Sequence, residues 1–131
     1  MLLDTSGLLC LHHRDEAFHD EASSLFEAAW LRLTHNYVIA EFVALADTRG
    51  LPREKALLFV AAVMDNPEIE MAWVDEGQHR SALRLLRGRL DKTYSLCDAV
   101  SFLLMRERGI TEALTTDRHF EQEGFVRLLK P

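Results

Sequence analysis

Four carboxylates occupy positions from which they could share a cation. Asp4 follows the apolar opening Met1-Leu2-Leu3, Glu41 lies on an apolar helical stripe, Asp98 opens a helical segment, and Asp117 follows Ala113-Leu114-Thr115-Thr116. Like charges brought within a few ångströms raise one another's pKa, and burial penalises each ionised group. A divalent cation removes both penalties, and hard ions such as Mg²⁺ and Mn²⁺ take carboxylate and water oxygens. Each acid also has an ordinary reading. Asp4 suits a turn, and Asp98 and Asp117 suit helix N-termini, where a cap stabilises by about 1 kcal/mol. Glu41 suits the edge of its stripe, with its head group reaching water. Glu41 carries the most weight of the four, because it lies three residues after Val38 and four before Leu45, beside Phe42.

The elements that must position these acids follow from the hydrophobic periodicity. Met1–Leu3 reads as a buried strand that ends at Asp4 and enters a turn at Thr5-Ser6-Gly7. Phe18, Ala22, Leu25, Phe26 and Ala29 recur at helical spacing over residues 15–30, with Asp15, Glu16, Asp20 and Glu21 at the front end. Residues 31–35 alternate as a second strand. Asn36 is positioned to cap a helix carrying Val38, Phe42 and Leu45, which stops at Gly50-Leu51-Pro52. A further helix is expected over residues 53–64, a third strand over 69–74 and a helix opened by Asp75. After a polar connection over 88–95, a helix over 98–108 ends at Gly109. A fourth strand over 113–116, a short helix or turn over 117–123 and a fifth strand over 125–129 complete the chain.

Strands alternating with helices imply a three-layer α/β/α fold around a mostly parallel sheet of about five strands. Ligands of such sheets lie beyond the carboxyl ends of the strands, where Asp4 and Asp117 both fall. The 131 residues, 48% of them hydrophobic, fit one domain over residues 1–131, and no internal repeat or linker divides it. The 21 acidic residues against 15 basic ones give a net charge of −6, which excludes a broad basic coat for nucleic acid. A polyanionic substrate must be attracted locally, by metal or by residues such as Arg14, Arg87, Arg89, Lys92 and Arg118. Cys10 and Cys97 form no C-x-x-C pair, which fits a reducing cytoplasm. No run of about 18 apolar residues offers a membrane span.

Beyond the four acids themselves, four segments carry a resemblance: Leu3-Asp4-Thr5-Ser6, Thr34-His35-Asn36-Tyr37-Val38-Ile39-Ala40-Glu41, the run from Asp91 to Phe102 that includes Ser95-Leu96-Cys97-Asp98-Ala99, and Leu114-Thr115-Thr116-Asp117-Arg118-His119-Phe120. The chain resembles, over essentially its whole length, the PIN-domain nucleases, and among them the VapC-like toxins of bacterial toxin–antitoxin pairs. The resemblance implies that Asp4, Glu41, Asp98 and Asp117 form an acidic quartet around Mg²⁺ or Mn²⁺. It also implies cleavage of RNA phosphodiesters, a homodimer and a cognate antitoxin. Cys97 departs from it, since threonine often precedes the third acid in similar sequences.

Thr5, Ser6, Asn36 and Thr116 stand beside the acids and are candidates to hold ligands or waters in place, or else simple turn and cap residues. The six histidines show no H-E-x-x-H or comparable spacing, so zinc is not expected, and the resemblance implies that the pair His119-Phe120 mainly shapes its turn. Trp30 and Trp73 are expected in the core or an interface rather than as base-stacking platforms. A stand-alone RNA-processing nuclease would share all these features. A PIN-like module that binds RNA or protein without cutting is disfavoured because no acid is missing. An aspartyl-phosphate enzyme is disfavoured because no D-x-D follows the first strand.

Overall fold

A computed structural model describes all residues from Met1 to Pro131. In chain order the elements are β1 (Leu2–Leu3), α1 (Thr5–His12), α2 (His19–Ala28), β2 (Leu33–His35), α3 (Asn36–Thr48), α4 (Arg53–Asp65), β3 (Glu70–Ala72), α5 (Glu76–Arg87), α6 (Leu96–Arg108), β4 (Glu112–Leu114), α7 (Arg118–Gln122) and β5 (Val126–Arg127). The five strands form one sheet in the order β3-β2-β1-β4-β5, and every pairing is parallel. β1 is central: Leu2 is in register with both Leu33 and Ala113, and Leu3 with Leu114. The chain moves outward through β2 and β3 on one side and through β4 and β5 on the other. The order therefore reverses between β1 and β4, the place where such sheets open a crevice.

Period-two alternation divides the interior into two cores. Leu3 and Leu114 face the layer holding Leu8, Val38, Phe42, Ala56 and Val60, from α1, α3 and α4. Leu2, Leu33 and Ala113 face the layer holding Ala82, Val100, Phe102, Met105 and Phe120, from α5, α6 and α7. Both faces of the sheet are thus covered, as a fully parallel sheet requires.

Several boundaries differ from the sequence-based expectation. The turn expected after Asp4 is helix α1, and Gly7 lies inside it. A Cβ on Gly7 would stand 2.0 Å from the Leu114 carbonyl oxygen, so glycine here permits close helix–strand approach rather than a bend. α2 begins only at His19, which leaves Asp15 and Glu16 in the preceding turn. The cap of α3 is His35, whose Nδ1 accepts from the Val38 amide, and Asn36 is the first helical residue. α6 starts two residues before Asp98, capped by Ser95. The strands are shorter than the apolar runs that contain them, β5 spanning Val126–Arg127 against an expected 125–129. Trp30 is wholly exposed and Trp73 mostly so, which corrects the expectation of a core position for either.

Candidate active site

Three of the acids are placed by a strand end or by a helix start. Asp4 lies directly between β1 and α1, at the point where the strand order reverses, and is 4% exposed. Asp98 sits in the first turn of α6 and is 5% exposed. There the Ser95 hydroxyl accepts from the Asp98 amide at 2.9 Å, and Asp98 Oδ2 accepts from the Ser95 amide at 3.0 Å. This reciprocal capping box fixes the carboxylate's rotamer. Asp117 caps α7, with Oδ1 accepting from the His119 amide at 2.9 Å. Glu41 lies in the second turn of α3 and is exposed at the rim. Asp4 and Asp98 therefore form a floor, and Glu41 and the half-buried Asp117 form a rim.

Two groups of ligand atoms result. Oxygens of Asp4 and Glu41 and the sulfur of Cys97 lie within 4.8 Å of one another, as do oxygens of Asp98 and Asp117 and a ring nitrogen of His119. Burial is the largest cause of a rise in the Asp4 pKa to about 7. The Thr115 hydrogen bond opposes that rise, and the charges of Asp98 and Glu41 add to it. A buried carboxylate that resists ionisation beside two other acids is what a bound cation would relieve. This donor set, rich in oxygen and converging from β1, α3, α6 and the β4–α7 turn, fits a divalent metal.

The residues that hold the acids differ in part from those the sequence singles out. Thr115, the first residue beyond β4, is fully buried. Its hydroxyl donates to Asp4 Oδ2 at 2.7 Å and accepts from the Asp117 amide at 3.0 Å. Having given its one proton to Asp4, it can only accept from Ser6 Oγ, 3.1 Å away, which in turn accepts from the Thr116 amide at 2.9 Å. Ser6 thus does support the acids, whereas Thr116 contributes its backbone. Asn36 Oδ1 accepts from the Val74 amide at 2.8 Å and so fastens the end of β3, not a ligand. The Thr5 hydroxyl is buried without a hydrogen-bond partner.

His119 does more than shape a turn. Its Nδ1 lies 2.9 Å from Asp98 Oδ2 and 3.4 Å from Asp117 Oδ2, and its Nε2 lies 3.1 Å from Thr93 Oγ1. Two carboxylates on one nitrogen place a proton on Nδ1. The turn-shaping member of the pair is Phe120, fully buried against Phe102 with ring centroids 5.0 Å apart. Spacing in the sequence separates His119 from Asp98 by 21 residues, so only the packing of α7 on α6 brings them together.

Of the cations expected near the mouth, Arg89 is engaged elsewhere. It forms a two-point pair with Glu123, to which Arg106 also binds. Lys92 pairs with Asp91 next to it in the chain.

The model of the PIN domain matches residues 1–125. The chain belongs to the PIN-domain family. Two relatives of this PIN domain, from Mycobacterium tuberculosis strains CDC 1551 / Oshkosh and ATCC 25618 / H37Rv, are both named 23S rRNA-specific endonuclease VapC20. Each is 28% identical over 129 residues, covering 98% of this chain and 97% of the relative. The crystal structure of M. tuberculosis VapC20, described as a Sarcin-Ricin loop cleaving toxin, superposes with a TM-score of 0.88 at 27% identity. The superposition covers 99% of this chain and 98% of that one. The three-layer α/β/α fold expected from the sequence is therefore that of a PIN domain throughout, with an all-parallel sheet.

Proposed function

We propose that this PIN domain is a Mg²⁺- or Mn²⁺-dependent endoribonuclease, and the toxin of a type II toxin–antitoxin pair. The observation that carries the reading is that Asp4 lies with Glu41 and Asp98 with Asp117 in two groups of ligand atoms, with the charges of both Asp98 and Glu41 felt at the buried Asp4. Asp4 and Asp98 are the direct ligands in this reading, and Glu41 and Asp117 complete the site directly or through water. A cation held there supplies an activated water and neutralises charge on the phosphate in the transition state. The chain's own part is positioning. The capping box orients Asp98, Thr115 orients Asp4 and ties it to Asp117, and the exposed carboxylate of Glu41 stands where an attacking water could be oriented.

The relatives' name points to ribosomal RNA as the first substrate to test. The remaining elements of the reading are a homodimer, an antitoxin that covers the acids, and a cytoplasmic location; in keeping with the last, no helix is long and apolar enough to cross a membrane.

Wild type and Asp98→Asn, which keeps a side-chain acceptor for the Ser95 amide, are to be compared on labelled ribosomal RNA fragments with Mg²⁺, with Mn²⁺ and with a chelator. Wild type is expected to cut only with metal, and the variant to be slower by at least about a hundred-fold. Equal cutting by both proteins, or cutting indifferent to chelation, would overturn the metal-nuclease reading. Binding without cutting by either would leave a PIN-like binding module.

A further inference from the structure

The group formed by Asp4, Glu41 and Cys97 contains a thiol where a site for hard cations has no use for one. Cys97 occupies the second position of α6, next to Asp98 in the chain. Its sulfur lies within 4.8 Å of oxygens of Asp4 and Glu41, whereas Asp98 reaches His119 and Asp117. Cys97 is 7% exposed, and the Thr5 hydroxyl lies within hydrogen-bonding reach of its thiol. That hydroxyl is buried and finds no other partner. Two polar side chains, each more than nine-tenths buried, thus have only one another and the neighbouring carboxylates to meet. Buried polar groups are ordinarily paired, and an unpaired one calls for an explanation.

We propose that Cys97 joins Asp4 and Glu41 as a third protein ligand, making this half of the crevice a binding site for a thiophilic divalent ion such as Zn²⁺. On binding, a sulfur–metal bond forms and the thiol proton passes to solvent; no oxidant or reductant is involved. Thiolate ligands select Zn²⁺ and Co²⁺ over Mg²⁺, and three protein ligands with an open fourth position are an arrangement Zn²⁺ adopts readily. Because Asp4 belongs to both sets of ligands, Zn²⁺ here withdraws it from the hard cation. The inference rests on the acidic site being a cation site, and it adds a competitor: Zn²⁺ holds the nuclease off at concentrations where Mg²⁺ or Mn²⁺ would support it.

The test uses the full chain stripped of metal, titrated with Co²⁺, Zn²⁺ and Mn²⁺. Wild type with Co²⁺ is expected to show a near-ultraviolet thiolate-to-cobalt charge-transfer band that Zn²⁺ abolishes by displacement. Cys97→Ser should lose the band, and Cys10→Ser should keep it. By calorimetry, Zn²⁺ affinity should fall at least about ten-fold in Cys97→Ser while Mn²⁺ affinity changes little. Mn²⁺ binding with no cobalt band and equal Zn²⁺ affinity in both proteins would overturn this inference and leave the acidic site standing. Failure of every ion to bind wild type would overturn both. Should Cys97→Ser not fold, Zn²⁺ protection of the wild-type thiol from alkylation, read in a Cys10→Ser background, decides the same question.

Discussion

Thr115 shows how much of the site hangs on one hydroxyl. It supplies the hydrogen bond that opposes the burial of Asp4, and it accepts from the amide of Asp117. Thr115→Val keeps the shape and removes both contacts, leaving the Asp117 amide without its acceptor and the Asp4 carboxylate without its side-chain donor. Chemical denaturation is expected to show a loss of about 1–3 kcal/mol. Mn²⁺ affinity, measured by calorimetry, should fall by about ten- to a hundred-fold, and Thr115→Ser should restore most of it. Two buried titrating groups oppose one another in the metal-free protein. Asp4 is raised from 3.8 to about 7, so its contribution is complete below about pH 4 and lost as pH climbs towards 7. His35, fully buried, is lowered by burial from 6.5 to about 4, so its contribution is present above 6.5 and lost as pH falls towards 4. Between those limits the two slopes cancel. Asp4→Asn should therefore expose a stability that rises with pH across about 4 to 6.5, by roughly 1.4 kcal/mol per unit. Denaturant midpoints across that range check it, and a flat profile in the variant would refute the assignment.

At the scale of elements, the site depends on how closely helices abut strand ends. α1 crosses β4 at Gly7, where a methyl group would meet the Leu114 carbonyl. Gly7→Ala is expected to push α1 away, costing about 1–3 kcal/mol and shifting Asp4, Thr5 and Ser6 together. Its signature is lost metal affinity as well as a lower unfolding midpoint. α7 is held from the other side by Glu123, whose buried carboxylate takes Arg89 in two places and Arg106 in a third. Burial opposes ionisation of Glu123, but the hydrogen bonds from Arg89 and Arg106 outweigh it and carry its pKa down to about 2. That contribution is present above about pH 4.5 and disappears as pH falls towards 2. Glu123→Gln is expected to cost about 2 kcal/mol at neutral pH, because both arginines keep only a neutral acceptor. The loss should shrink on acidification, and unfolding curves at neutral and acid pH would check that.

For the molecule as a whole, with a net charge of −6, cation binding is under the proposed function the step that would reconcile the protein with a polyanionic substrate. Mn²⁺ at about 100 times its dissociation constant should stabilise the fold by about 2.7 kcal/mol. The gain should be larger at pH 8 than at pH 6, because protons compete for Asp4 below about 7. Thermal melts with and without Mn²⁺ at the two pH values test this. An equal shift at both would remove Asp4 from the ligand set.

The sequence by itself determined the alternation of strands and helices, the three-layer class and the local setting of each acid, because hydrophobic period and cap chemistry are short-range. It placed Asp4 just past the first strand and Asp117 before a short helix, where the structure has them, whereas Asp98, expected to open its helix, lies two residues inside α6. It did not reveal α1, since Thr5-Ser6-Gly7 carries the marks of a turn and the reason for Gly7 is a carbonyl 107 residues away. Nor did it reveal Thr115, which a strand pattern presents as an ordinary β-branched residue. The strand order, the meeting of His119 with Asp98 and the turning of Cys97 towards Asp4 and Glu41 were decided only by tertiary structure. Those contacts join segments far apart in the chain, and no local spacing records them.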